Sequence, residues 1–277
     1  MPERSAMPVP VIGAALSTDG LKAHRDWILE KNRDVEVQSF YAPMALDGDW
    51  SGEVAYIKTL LEGHTGRLGI HGPFIGFSLN CLDPEIQAVI TRRMMQALDV
   101  CEALGATQMV VHSPFSTWDH NNMPNNEGAR DWIIDAARSI LGDVVTRAES
   151  QGVTLVVENI EDIDPADRLR LAHAFQSDAV RLSIDTGHAH YAHGSNGAPP
   201  VDYYVKAAGD WLHHVHLQDA DGYADRHWAI GQGSIHWHAV FRAIAELDHQ
   251  PRLVLELRDH NDLPGSMAYL EAQGLGQ

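Results

Sequence analysis

The sequence predicts a single eight-stranded parallel β/α barrel, the TIM-barrel class of α/β fold, and three observations carry the prediction. Eight short runs rich in Val, Ile and Leu alternate with longer amphipathic stretches along an uninterrupted chain. The 277 residues suit one such barrel, which takes roughly 250. His, Asp and Glu recur at or just beyond the ends of the later strands, where a barrel gathers its chemistry at one mouth. A doubly wound open sheet is the runner-up.

The strands are read at residues 10–16, 35–40, 67–72, 108–113, 154–159, 180–185, 212–217 and 252–257. Helix punctuation fills the intervals. Asp83 and Pro84 supply a cap and a first-turn proline for a helix to about Leu104, ended by Gly105. Asn126 opens another, running to Ser150 with Gly152 beyond it, and Asp164-Pro165 and Leu263-Pro264 begin two more. No linker or low-complexity tract divides the chain, so residues 1–277 are read as one domain. Residues 218–235 form the one loop of note, and loops of that length are often functional.

Composition narrows the partners. Hydrophobic residues at 44% and charged residues at 21% describe an ordinary globular chain. The net charge of −18 argues against a broad basic surface for duplex DNA or anionic membrane. Cys81 and Cys101 are too few for a disulfide framework or a thiolate metal site, which suits a reducing cytoplasm. The first residues carry Glu3 and Arg4 before a short, proline-broken apolar stretch, and no apolar run approaches the ~20 residues of a membrane span. The reading is a soluble, untargeted cytoplasmic protein.

Histidine stands out, at 17 residues, and its placement matters more than its number. His71, His112, Glu158 and Asp185 end the third to sixth strands. His188 lies just beyond Asp185, His216 ends the seventh strand, Asp225 and His227 follow in its loop, and Glu256 ends the eighth. A carboxylate inside an apolar strand is costly unless paired, hydrogen-bonded or metal-bound. Glu158, Asp185 and Glu256 at equivalent strand ends, with histidines at matching places, therefore read as a divalent-metal site. His190, His193, His213, His214, His236 and His238 are surplus to this pattern and are read as non-ligands, His190 being the first to reconsider. Arg226 and Arg258 offer forked donors for a phosphate or carboxylate. Phe74 and Trp118, with Phe77 and Trp228, are candidate walls of a substrate pocket.

The segments His71-Gly72-Pro73, Val111-His112-Ser113-Pro114, Val157-Glu158-Asn159, Asp185-Thr186-Gly187-His188, His216-Leu217-Gln218-Asp219, Asp225-Arg226-His227, Gly231-Gln232-Gly233-Ser234-Ile235 and Leu255-Glu256 resemble, in order, one superfamily. It unites endonuclease IV with the xylose-isomerase-like sugar isomerases and epimerases. The resemblance implies a central metal held by Glu158, Asp185, His216 and Glu256. An endonuclease IV-like site would add a second metal on His71, His112 and a shared Glu158, and a third on His188, Asp225 and His227.

Two or three divalent ions are thus expected, with zinc favoured by the imidazole share and manganese also suited. The five extra ligands make phosphoester hydrolysis by a metal-bound hydroxide the leading expectation, with Glu158 bridging two metals and Glu256 ligating and orienting the water. The alternative is a one-metal sugar or sugar-phosphate isomerase or epimerase using Glu158 and Glu256 for proton transfer. A non-catalytic metal-dependent binding protein is the third reading. The loop after His216 is shorter than in endonuclease IV. The stretch Asn159-Ile160-Glu161-Asp162-Ile163-Asp164 is acidic where that enzyme is glycine-rich for DNA. Both departures favour a small phosphorylated or sugar-like substrate over duplex DNA.

Overall fold

The computed structural model describes residues 9–277; the leader reading based on Glu3 and Arg4 lies outside them. Eight parallel strands close into a barrel in chain order. They are β1 (Gly13–Leu16), β2 (Val35–Val37), β3 (Leu68–His71), β4 (Gln108–His112), β5 (Thr154–Glu158), β6 (Val180–Asp185), β7 (Leu212–Leu217) and β8 (Arg252–Leu255). Pairing of β1 with β8 completes the ring. The strands read as apolar runs because both faces are covered, one by barrel interior and one by helices.

Helices α1 (Thr18–Glu30), α2 (Ser51–Leu60) and α3 (Pro84–Leu104) connect β1 to β4. The α3 boundaries follow the sequence signals. Asp83 accepts from the Glu85 N–H at 2.9 Å, and Gly105 ends the helix in the left-handed region at φ 73°. Then come α4 (Thr117–Asn122), α5 (Ala129–Gln151), α6 (Pro165–Ala174), α7 (Thr186–Asn196), α8 (Val201–Ala208), α9 (Trp237–Ala245) and α10 (Leu263–Ala272). None of the described helices is long and apolar enough to cross a membrane.

Several expected boundaries move, each for a local reason. Residues 10–12 do not join β1 because they bind the chain's end: Gln277 N–H donates to Pro10 O, and Ile12 N–H donates to Gln277 O. β2 stops at Val37, and the chain turns after Gln38 donates to Leu16 O. The helix expected from Asn126 begins at Ala129, after Gly128 at φ 82°. The residues before it hold the unpredicted α4, capped by Ser116, which accepts from Asp119 N–H at 3.0 Å.

The acidic stretch after Glu158 supports the fold. Asp162 and Arg168 are fully buried with 3.2 Å between Oδ1 and Nε. Arg168 also donates to Val157 O and Ser183 O, tying β5 to β6, while Asp162 accepts from Ser113 Oγ at 2.7 Å. Asp164 caps α6 through Ala166 N–H. Removing one partner of such a buried pair costs about 3–5 kcal/mol, because the other charge stays buried without compensation.

Candidate metal centre

The parallel ladder delivers the strand-end residues to one mouth. His71, His112, Glu158 and Asp185 are the last residues of β3, β4, β5 and β6; His216 is next to last in β7, and Glu256 follows β8. Register sets His112 beside Glu158 and Asp185 beside His216. His188 lies in the first turn of α7, and Asp225 and His227 in the loop after β7. The nine residues fall into three groups able to hold a metal ion, each with its ligand atoms within 4.8 Å of one another. They are Glu158, Asp185, His216 and Glu256; His71, His112 and Glu158; and His188, Asp225 and His227.

Hydrogen bonds set how the rings face. A carbonyl oxygen only accepts, so the ring nitrogen opposite it must carry the proton. His71 Nδ1 lies 2.8 Å from Gly72 O, His188 Nδ1 2.9 Å from Asn159 O, and His227 Nδ1 3.0 Å from Glu256 O. Each of these rings therefore turns an unprotonated Nε2 toward the cluster in its neutral form. Their Nε2 atoms lie 3.7 Å from Glu158, 3.5 Å from Asp225 and 3.1 Å from Asp225, respectively. His216 is reversed, with Nδ1 at 2.8 Å from Glu158 and 3.4 Å from Glu256. His112 is held by packing, with Phe74 stacked on it at 4.1 Å.

Three neighbours hold the rest in place. Asn159 accepts from Asp185 N–H and donates to Asp185 O, so β6 ends in a fixed position. Asp185 accepts at 2.6 Å from His188 N–H, capping α7 with a candidate ligand. Gln218 donates to both Asp185 and Asp225 and accepts from His227 N–H at 2.7 Å. That last bond steadies His227 at φ 50°, a left-handed conformation that costs a β-carbon residue about 1–3 kcal/mol. Gly187 makes room for Gln218, whose amide occupies the place where a Cβ on Gly187 would stand. Asp219 fastens the rest of the loop by accepting from Gly231 N–H, Ile235 N–H and Trp237 Nε1–H.

The electrostatics fit cations. Burial would raise the Glu158 carboxyl, but the charge and hydrogen bond of His216, with His71 and His112 beside it, hold it well below the usual range. Burial would lower His216 and His188, yet the surrounding carboxylates lift both well above the ordinary imidazole value, and His227 rises to about 9. His112 differs, since burial drives it down to about 3, and Asp185 is pushed up to about 6 by burial. Glu158 Oε2 and Asp185 Oδ2 are buried without a hydrogen-bond partner, an arrangement that costs about 1–3 kcal/mol per group. Mixed imidazole and carboxylate donors with such orphaned oxygens suit a divalent cation.

A cavity of about 580 Å³ opens above the centre. Phe74, Tyr41, Gln38, Ile160, Arg258 and His260 line it together with the metal-site residues. Two expected substrate contacts do not reach it. Arg226 turns back to Asp221, with 2.8 Å between charged atoms, and lies over the Trp228 ring. Trp118 stands on α4 with 75% of its surface exposed. Of the predicted contacts, Phe74 and Arg258 stay at the cavity. Cys81 and Cys101 are both free.

Sequence reasoning missed Glu36 and dismissed His214. Both are buried on β2 and β7 and form a fourth group with His216. Within a Val-Glu-Val strand, Glu36 resembles an outward polar residue, and only barrel closure brings it to His216. Gln218 and Asn159 belong to quoted motifs, but their role as braces appears only in three dimensions.

Comparison with known proteins agrees with this architecture. The chain superposes on a D-tagatose 3-epimerase-like protein with a TM-score of 0.75, at 20% identity, over 94% of this chain and 96% of the other. A Thermus thermophilus protein, TTHB071, soaked with ZnCl2, gives a TM-score of 0.71 at 27% identity, over 96% and 99% of the two chains. D-allulose 3-epimerase from Methylomonas sp., in complex with D-allulose, gives 0.66 at 18% identity, over 97% and 99%. The family model for the xylose isomerase-like TIM barrel matches residues 35–274, and the chain belongs to that family.

Proposed function

We propose that this protein is a divalent-metal-dependent isomerase or epimerase of a small sugar-like substrate. The observation that carries the reading is the convergence of Glu158 and Glu256 on His216 Nδ1 beneath a cavity of about 580 Å³, within the small-molecule range. They come from β5 and β8, three strands apart around the ring. Two carboxylates approaching from different sides suit removal of a proton from one face of a carbon and its return to another. The sugar epimerases among the structural relatives support this reading over hydrolysis.

Glu158, Asp185, His216 and Glu256 would hold the ion. It would supply a Lewis acid that fixes neighbouring substrate oxygens and acidifies the adjacent C–H. Glu256 accepts from Gln38 Nε2 through Oε1, which leaves Oε2 turned toward His216 and His227. Glu158 keeps Oε2 unpartnered while Oε1 faces His216. One of the two, as the carboxylate, would accept the substrate's carbon-bound proton, and the other, as the carboxylic acid, would give one back and be left ionised. The direction of return separates epimerisation, at the same carbon, from isomerisation, at its neighbour. Among the described residues, Arg258 is the one permanent cation lining the cavity, which suits a polyhydroxylated substrate better than a polyanion.

One observation favours a second reading. The His71–His112–Glu158 and His188–Asp225–His227 groups exceed what a single ion needs, and extra cations would serve hydrolysis of a small phosphoester. Metal analysis combined with two activity screens separates the two. About one ion per chain, with solvent deuterium entering a ketose or aldose during turnover, supports proton transfer. Two or three ions with cleavage of an aryl phosphodiester, and no deuterium entry, overturn it in favour of hydrolysis.

A further inference from the structure

The fourth acidic-imidazole group lies inside the barrel below the mouth and links strands from opposite sides. His216 Nε2 is 3.0 and 3.1 Å from the two oxygens of Glu36, and His214 Nε2 is 3.2 Å from Glu36 Oε2. His214 Nδ1 in turn lies 2.8 Å from Ser183 Oγ on β6. Glu36, His214, His216 and Ser183 are all buried. Their spacing would admit a metal, yet both Glu36 oxygens already face imidazole nitrogens, so the arrangement is a chain of facing imidazole and carboxylate groups.

This chain explains why His216 faces its cluster differently from the other rings. His71, His188 and His227 each give a proton to a main-chain carbonyl from Nδ1 and turn Nε2 inward. His216 gives its Nε2 proton to a carboxylate and turns Nδ1 to Glu158 and Glu256. A carboxylate is a stronger acceptor than a carbonyl, so it holds the proton on Nε2 and makes Nδ1 a better donor to a metal. A charge so deep in the barrel is otherwise disfavoured.

We propose that Glu36 is a positioning residue that locks His216 as the Nε2–H tautomer, aiming Nδ1 at the central cation, with His214 bracing Glu36. This rests on the reading that Glu158, Asp185, His216 and Glu256 hold a divalent ion; it is independent of which reaction follows. His214 packs against Glu36 in this role, with Nε2 at 3.2 Å from Glu36 Oε2 and Nδ1 at 2.8 Å from the Ser183 hydroxyl. Both oxygens of Glu36 face His216 Nε2 and one also faces His214, so the ring of His216 is fixed from below while Nδ1 stays free to hold the ion.

The test is zinc affinity of the full chain by competition with a chromophoric chelator, alongside thermal melting of the metal-free protein. Glu36→Gln should weaken zinc about 10–100-fold, the usual cost of losing a ligand's outer partner, in a metal-free protein that still melts as a folded chain. Glu36→Asp should recover part of the affinity, and His214→Gln should lose less than Glu36→Gln. Wild-type affinity in Glu36→Gln overturns the proposal. A wild-type chain that takes up no zinc overturns the central-cation reading itself, a different outcome. Nitrogen-15 correlation spectra of the zinc-loaded wild type give a check that needs no variant. A His216 signal with zinc on Nδ1 and a proton on Nε2 supports the proposal, and zinc on Nε2 sinks it.

Discussion

The four central residues and the five that flank them differ in what holds them. Glu158, Asp185 and His216 sit on the barrel ladder and are almost wholly buried. Asn159, Gln218 and Glu36 brace Asp185 and His216 through side-chain hydrogen bonds. Among the flanking residues, His71, His188 and His227 each hang on one main-chain carbonyl, His112 leans on Phe74, and Asp225 is 47% exposed on a loop. The barrel therefore enforces the centre through three of its four residues and carries His71 and His112 at the ends of β3 and β4. His188, Asp225 and His227 depend instead on α7, the loop after β7 and single contacts. A fold can vary its chemistry at such flanks while keeping the centre intact.

The strongest way to break this contrast is to alter the centre. Glu158→Gln should abolish central metal binding and lower turnover about 10²–10⁴-fold, the range for removing an acid–base group. Metal analysis and kcat on the responsive sugar check it, and a Glu158→Gln chain with full metal and activity would erase the distinction. Next in size is a stability effect. Arg168→Ala leaves Asp162 buried without its partner beside the end of β5 and should cost about 3–5 kcal/mol in urea unfolding. A loss below about 1 kcal/mol would show that the pair does not brace the centre.

The sequence made the barrel and the strand-end residues readable for one physical reason. A polar residue that terminates an apolar strand is conspicuous, because its burial demands a partner. Glu158 in Leu155–Asn159 and Asp185 after Leu182-Ser183-Ile184 both stand out this way. Glu36 does not, since one polar residue between valines also fits a half-buried strand. His214 is likewise hidden by its neighbour His213, and its partners lie on β2 and β6, far away in the chain. Arg226 differs in the opposite sense. It stands between Asp225 and His227 in sequence, but the loop turns its side chain to Asp221. The reaction was harder to read than the fold, because isomerase and hydrolase share the central four residues.

Smaller effects are expected at the flanks, and they sharpen the contrast. In the proton-transfer reading, His71→Ala and His227→Ala should each reduce kcat/KM by less than about 10-fold, or 1.4 kcal/mol of barrier. Neither should change the number of ions held by the central four. Loss of an ion together with a collapse of turnover in either variant would make the flanks part of the machinery and restore the hydrolytic reading.

The smallest effect is predicted for Arg226 and Trp118, both first read as substrate contacts. Arg226 spends its guanidinium on Asp221, which holds that carboxyl down to about 2, and its central carbon lies 5.2 Å from the centre of the Trp228 ring. Trp118 projects from α4 into solvent, outside the cavity wall. Arg226→Ala and Trp118→Ala should therefore keep kcat/KM within about twofold of the parent, as exposed substitutions away from a site usually do. Arg258→Ala is the matched control, since Arg258 lines the cavity and should raise KM with little change in kcat. If Arg226→Ala raised KM as much as Arg258→Ala, the 218–235 loop would have to reorganise on substrate binding, releasing Arg226 from Asp221 to reach the mouth. The flank would then act as a closing element, and its dependence on single contacts would be what allows it to move.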